Sequence, residues 1–544
     1  MPVGVRAYSD PAKLMDTHKT TTGRDGTAET IERIEASPSL PQGQSPIEDE
    51  FNTDHLLPNL KRHTISGGVI TISAQLAKFV LNLGSTVVLA RLLTPRDFGL
   101  VAMVTTVTGF LAVLRHAGLS IATVQRERIT HAQVSNLFWV NLGLSGLCTL
   151  IIAALAPLIA WFYRDARLTY ITLFLSTTFL IGGFRVQHIA LLRRKLQFKA
   201  IAFIDVGSMA FGVLVGITMA LMRFGCWSLV GLSLATELGS FILTGSISRW
   251  RPQLPSKGSG LRPLLTFGAH QTAASLIFSI ARGCDTLLIG RFYGAAAVGL
   301  YTRGAALVIR PLEQFLLPVN AVFLPTLSRL QSQPARYRST FLRLYEAVAL
   351  VSFFCTSFLF ALAHPITLVM LGQKWAQAST IFAGFTFLAL YFPLANVTNW
   401  LLTSQGRGKD LFLQTSIAAV LTALSFVVGL PFGPVGVAMS FSLSGLLIRL
   451  PILYFNVGRK GPVSTRDLWT RFFWHLPLWL VVFATTWYTR RWVLDARPLV
   501  QLLICTPIGA AAGVIFICLS KPQRRIALYL WQSLREFRYK HQAA

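Results

Sequence analysis

Charge is scarce in this 544-residue chain. Asp, Glu, Lys and Arg make up 13% of it, whereas a soluble domain carries roughly 25% to keep a hydrated shell. Acidic residues are scarcer still. Ten of the 22 lie before residue 55, so residues 61–544 hold 12. The net charge of +28 is therefore not read as a nucleic-acid patch, because the basic residues sit mostly in the gaps between apolar runs, where they set topology. The six cysteines (Cys148, Cys226, Cys284, Cys355, Cys505 and Cys518) form no C-x-x-C pair and lie in or beside apolar runs, as small hydrophobes in packed helices do. Enzyme signatures are missing. There is no G-x-x-x-x-G-K-[ST] for ATP, since Gly406-Arg407-Gly408-Lys409 lacks the upstream spacing and the Ser or Thr, and no H-E-x-x-H. His188, His270 and His364 are too isolated to suggest a metal site, and no cofactor is called for. No short apolar core near Met1 marks a signal peptide, and the alternation of an outer-membrane barrel is absent.

What the chain has is apolar length. It is 53% hydrophobic, with a mean hydropathy of +0.54, and its apolar residues come in runs long enough to span a bilayer. Fourteen spans are expected, at roughly 65–90, 98–117, 133–162, 168–190, 200–222, 226–247, 264–290, 296–328, 341–363, 376–403, 410–430, 434–456, 470–489 and 498–519. With the amino terminus inside, the inner loops carry 21 basic residues and the outer loops 10, which places both ends in the cytoplasm. A repeat at an offset of 200 residues pairs Gly68 with Gly268, Ala74 with Ala274, Leu76 with Leu276, Thr86 with Thr286, Arg91 with Arg291, Gly99 with Gly299 and Leu100 with Leu300. Both copies start inside and lie six spans apart, so the repeat is parallel, about an axis along the membrane normal.

The fold class expected is thus an all-α polytopic membrane protein with two six-helix lobes and two extra helices. Residues 1–60 form a polar cytoplasmic tail too poor in apolar residues to fold alone. The first lobe covers 61–248, a cytoplasmic linker 249–262, the second lobe 263–456, the two extra helices 457–520, and a basic amphipathic tail on the membrane surface 521–544.

Ionisable side chains inside spans cost several kcal/mol each and face a cavity or a partner. They concentrate between Phe267 and Pro325, as Arg282, Asp285, Arg303, Arg310 and Glu313, with Lys78, Asp205 and Glu237 in the first lobe. Arg303 and Arg310, seven apart, share one helix face. Two pairings are expected: Arg310 with Glu313 at i+3, and Arg303 with Asp285 across the hairpin. Arg282 and Asp285, three apart, read either as a switch pair during transport or as a static ion pair. Asp205 and Glu237 read as cation-coupling carboxylates or as interhelical hydrogen-bonding groups. Pro311, Pro318 and Pro325 recur every seven residues and are expected to bend the eighth span, either as a hinge or as fixed curvature.

Three stretches, LARLLTPRDFGLVAM (89–103), LIGRFYGAAAVGLYTRGAAL (288–307) and PLEQFLLPVNAVFLPTLSRLQ (311–331), resemble the polysaccharide-transporter branch of the multidrug/oligosaccharidyl-lipid/polysaccharide flippase superfamily, of the Wzx type. The resemblance covers about residues 60–455. It implies a transporter rather than an enzyme, in the bacterial inner membrane. Its cargo would be an undecaprenyl-pyrophosphate-linked oligosaccharide, moved for exopolysaccharide, capsule or O-antigen synthesis. Membrane lipids, a polysaccharide polymerase and chain-length machinery are the partners implied. A diphosphate cargo points to Arg303, Arg310, Arg282 and Lys78 as the binding cations. A drug/cation antiporter of the same fold is the alternative. A membrane polysaccharide polymerase or ligase would need a large external loop, and every outer loop here is short.

Overall fold

The structure, a computed structural model, describes residues 60–115, 123, 129–248, 250–255 and 262–542. The tail expected over residues 1–60 lies outside that range except for its last residue. The first lobe contains α1 (Leu60–Leu92), α2 (Pro95–Arg115), α3 (His131–Tyr163), α4 (Arg167–Arg194), α5 (Phe198–Leu221) and α6 (Trp227–Ile247). In the second lobe are α7 (Arg262–Arg329), α8 (Pro334–Ala361), the short α9 (Ala363–Leu371), α10 (Ala378–Ser404), α11 (Gly408–Gly429) and α12. The last of these runs through Gly433–Ser444, a π-helical turn at Gly445–Arg449, and Leu450–Gly458. Then come α13 (Thr465–Trp492), α14 (Pro498–Leu519) and α15 (Lys521–Gln542). Each of the fourteen expected spans coincides with helix in this series to within two residues at its ends, with a turn at Leu362 inside the ninth, and residues 116–117 of the second are not described. The protein is a multi-pass membrane protein. Its outward face is apolar, with Trp161, Leu150, Leu214, Phe412 and Leu503 each more than 60% exposed, as expected where lipid replaces water.

α7 is two helices. Gly294 has φ 78° and ψ −178°, the one non-helical residue inside Arg262–Arg329, and that left-handed φ is open to glycine at little cost. The Tyr301 hydroxyl donates to Asp285 Oδ2 at 2.9 Å. Sixteen residues of straight helix would hold them about 24 Å apart, so the halves α7a and α7b fold back as a hairpin. Pro311, Pro318 and Pro325 all sit within the helix of α7b, and the chain reverses at Gly294, in the gap between the seventh and eighth expected spans. A glycine with positive φ reverses the chain direction, whereas a proline only perturbs one turn.

The repeat becomes a contact. A Cβ placed on Gly99 would lie 1.7 Å from the carbonyl oxygen of Ala295, and one on Gly299 would lie 1.8 Å from that of Pro95. Pro95 and Ala295 are themselves 200 residues apart. The contact is reciprocal, as a two-fold axis between repeats requires, and it is where α2 and α7b cross at backbone distance. Small residues permit such close approach of helices in lipid. Around it a core shared by both lobes forms from Leu100, Val104, Ile289, Val298, Val308 and Phe382.

The same end of the bundle is tied by hydrogen bonds between lobes. The Trp375 indole N–H donates to Ala90 O at 2.8 Å, and Arg91 Nη2 to Val369 O at 3.0 Å. Trp375 is fully buried and meets Phe98 edge-on at 5.3 Å.

At the other end, α13 is pinned to α8. Ser464 and Asp467 form a capping box that starts α13, and Asp467 accepts from Arg338 at 2.7 and 3.0 Å. Burial pushes the Asp467 carboxyl up, but Arg338, with the Ser464 backbone and hydroxyl, holds it down at about 2. A carboxyl whose folded value is depressed contributes stability above the unfolded range near pH 4, and loses it as pH falls toward 2. Asp467→Asn is expected to lower the melting temperature of the solubilised protein at pH 7 by about 1–3 °C. It should also weaken the acid-dependent loss between pH 4 and 2. Melting curves of the two proteins across that range check both.

Candidate functional site

Five helices of the first lobe and one of the second enclose a cavity of about 440 Å³. Each contributes a single stripe. From α1 come Lys78, Asn82, Ser85, Thr86 and Leu89, from α2 Phe98, Val101, Ala102 and Thr105, and from α5 Asp205, Ser208, Met209 and Val213. α6 adds Leu229, Leu232, Ser233, Thr236, Glu237 and Ser240. These are i, i+3, i+4, i+7 patterns, so ordinary helical geometry aims every polar group inward without a loop or a bulge. Arg185 of α4 and Arg303 of α7b complete the lining.

The charges are arranged as two ion pairs and one cation. Lys78 Nζ lies 3.0 Å from Asp205 Oδ2. Arg185 Nε lies 3.2 Å from Glu237 Oε2. All four side chains are partly buried. The Arg303 guanidinium sits over the Phe98 ring at 4.6 Å, its buried Nε without a hydrogen-bond partner. The summed charge of the lining is thus one positive unit. A pair of this kind is costly to break by removing one partner, because the other charge is stranded. An incoming anion can instead take over the cation and leave the carboxylate to bind a proton or a cation. Arg303 is already available, since a ring face competes weakly with a phosphate oxygen for a guanidinium.

Of the other residues singled out in the sequence, Asp285 hydrogen-bonds Tyr301, the Thr286 amide at 2.6 Å and the Thr286 hydroxyl at 3.2 Å. Arg303 packs on Phe98 rather than pairing with Asp285. Arg282 reaches Glu313 at 3.9 Å, and Arg310 lies 3.7 Å from the same carboxylate at i+3, as expected. These three lie along the α7 hairpin, with Arg310 68% exposed, and are not among the residues that line the cavity. The structure therefore brings Lys78, Asp205, Glu237 and Arg303 together, and sets Arg282, Asp285, Arg310 and Glu313 elsewhere.

Two arginines were missed by sequence reasoning. Arg185 lies near the end of the fourth expected span and would have been found by listing every cation inside a span. Arg449 is 4% exposed at the π-turn of α12. It donates to Thr422 Oγ1 at 2.7 Å and lies 5.0 Å from Tyr391 and 4.5 Å from Phe441. The six cysteines are all free.

A family model described as "Polysaccharide biosynthesis protein" matches residues 88–380. The chain is 24% identical over 478 residues to the teichuronic acid biosynthesis protein TuaB of Bacillus subtilis (strain 168), covering 87% of this chain and 99% of that protein. It is 27% identical over 373 residues to the succinoglycan biosynthesis transport protein ExoT of Rhizobium meliloti (strain 1021), covering 68% and 74%. In fold it is similar to the lipid II flippase MurJ in an inward closed conformation. The TM-score is 0.65 at 14% identity, over 82% of this chain and 98% of that one.

Proposed function

Because the chain belongs to the polysaccharide biosynthesis protein family, we propose that it is a transporter that moves a lipid-linked oligosaccharide across the inner membrane by alternating access, with a diphosphate joining lipid to sugar. The observation that carries this reading is Arg303, a cavity cation with no carboxylate in ion-pair range among the described residues, lining a polar cleft whose other cations are held by acids that an anion can displace. A diphosphate needs several cationic donors at once. The serines, threonines and Asn82 of the same walls offer hydrogen bonds to sugar hydroxyls. In the orientation set by the loop charges, the termini are cytoplasmic and the Gly99–Gly299 crossing closes the outer end. The cavity then takes cargo from the inner leaflet. Bending at Pro311, Pro318 and Pro325 would let α7b follow the rocking of its lobe, with Asp285, Arg282, Glu313 and Arg310 holding the hairpin as one body. A polymerase and chain-length machinery would take the cargo outside.

The alternative of a drug/cation antiporter draws on Asp205 and Glu237, two acids in one cavity. It accounts less well for Lys78 and Arg185, which occupy those acids. The test is transport by the full chain in vesicles, with a fluorescent lipid-diphosphate oligosaccharide on one side and an organic dye cation on the other. Transfer of the oligosaccharide lipid is expected. Uptake of the dye cation without it would place the chain with the antiporters.

Asp205→Asn leaves Lys78 free, and Glu237→Gln leaves Arg185 free. Each is expected to tighten binding of the diphosphate lipid by about 3- to 10-fold and to slow its release, since one competing carboxylate is gone. Equilibrium binding and turnover measured on the same preparation check this, with opposite changes in the two.

A further inference from the structure

We propose that the inner ends of α8 and α13, with α15 across them, form a binding site for the phosphate headgroup of an anionic membrane phospholipid. Ala335, Arg338, Ser339, Leu342, Arg343 and Glu346 follow the i, i+3, i+4, i+7, i+8, i+11 pattern of one face of α8. With Arg471 of α13 they line a pocket of about 300 Å³. This pocket is separate from the cavity between the lobes and stands whatever that cavity carries.

Three arginines converge here and two acids oppose them. Arg471 lies 2.6 Å from Glu346 and 3.7 Å from Asp467, which also binds Arg338. These four side chains are a scaffold that fixes α13 on α8. Arg343 is outside the scaffold: among the described residues it makes no ion pair, and its guanidinium lies over the Tyr529 ring of α15 at 5.6 Å. Arg338 is half exposed beside it. The pocket therefore has a net positive rim with guanidinium donors left over, and a phosphate supplies the acceptors they lack.

Position identifies the ligand as a lipid. α8 has 28 residues, about 42 Å of helix against a hydrocarbon core of about 30 Å. Its first turns, which hold the arginine stripe, thus lie at headgroup depth. Gln523 Nε2 donates to Trp474 O at 2.7 Å, and Ile526 packs with Leu350, Leu478 and Val482, which docks α15 along the bundle. Leu528 and Trp531 of α15 are exposed, as are Phe473 and Trp474 of α13 and Leu519 of α14. Lys521, Arg524 and Arg525 are exposed as well. An acyl chain beside these apolar groups and a phosphate in the pocket satisfy both surfaces, as basic pockets between membrane helices do.

The test is lipid binding to the full-length protein in a neutral detergent, read by native mass spectrometry and by melting temperature. Phosphatidylglycerol is expected to bind and to raise the melting temperature. Arg343→Ala should weaken binding about fivefold and Arg343→Glu about 25-fold, at roughly a fivefold loss per unit of charge. Without lipid, Arg343→Ala should melt close to the wild type, since its side chain makes only a ring contact with Tyr529; Arg343→Glu, which sets a carboxylate three residues from Glu346, is read against its own lipid-free melting curve. Phosphatidylcholine is expected to bind too weakly to detect. Unchanged phosphatidylglycerol binding in Arg343→Glu overturns the site. Equal binding of phosphatidylcholine overturns the charge argument. Stabilisation by inorganic phosphate that matches the lipid's assigns the pocket to a soluble anion and overturns the lipid.

Discussion

Gly99→Leu is expected to abolish transport and to leave the outer end of the cavity open. The new Cβ would meet the Ala295 carbonyl oxygen, which is backbone and cannot turn aside. Overpacking of this kind costs about 1–3 kcal/mol or more, and each 1.4 kcal/mol is tenfold in an equilibrium between states. Under the proposed alternating access the lobes separate at this crossing when the outer end opens, so the cost falls on the closed state alone. Gly299→Leu strikes Pro95 in the same way and should behave alike. A single cysteine placed at Thr105, a cavity residue of α2, reports the change in a chain whose six native cysteines are replaced. Labelling by a membrane-impermeant maleimide from outside should rise by about 10- to 100-fold in either glycine variant. Gly84→Leu makes a control, since a Cβ there meets nothing within 4 Å. Unchanged labelling in both crossing variants would mean that α2 and α7b do not separate during transport.

Arg303→Ala is expected to cost as much in transport as any single change in the cavity. A hydrogen bond to a charged group contributes about 1.5–3 kcal/mol, so loss of the guanidinium should lower cargo affinity by about 10- to 100-fold. Arg303→Lys keeps the charge but loses the planar fork and its fit over Phe98, and should recover only part of this. Arg310→Ala should cost far less, because Arg310 is exposed, shares Glu313 with Arg282 and is not a lining residue. Measured together, the three variants separate charge in the cavity from charge on the α7 hairpin.

The fold was legible because its signals are long. Apolar runs of about 20 residues have few alternative readings, and the 200-residue repeat pointed to the two glycines that meet on the axis. The hairpin turn at Gly294 was legible too, as the gap between two expected spans. The site was legible only in part. Charges crowded between Phe267 and Pro325 drew attention to α7, yet only Arg303 of that group reaches the cavity. Helix periodicity explains why: Arg303 and Arg310 share a face roughly, but a helix bent past a glycine and crossing another at backbone distance presents one turn to the cavity and another to the lipid or the hairpin. The first lobe looked poor in charge because Lys78, Arg185, Asp205 and Glu237 are spread over four helices and more than 150 residues. Tertiary packing alone turns them into two ion pairs, and no spacing rule along the chain contains that information.

Transport is proposed to turn on an anion meeting Arg303 in this cavity. The most direct measurement is the rate at which purified protein in vesicles transfers a fluorescent lipid-diphosphate oligosaccharide between leaflets, compared for wild type, Arg303→Ala and Arg310→Ala. Transfer by the wild type and by Arg310→Ala, with at least a tenfold loss in Arg303→Ala, is the predicted result. Equal transfer by Arg303→Ala and the wild type would contradict it.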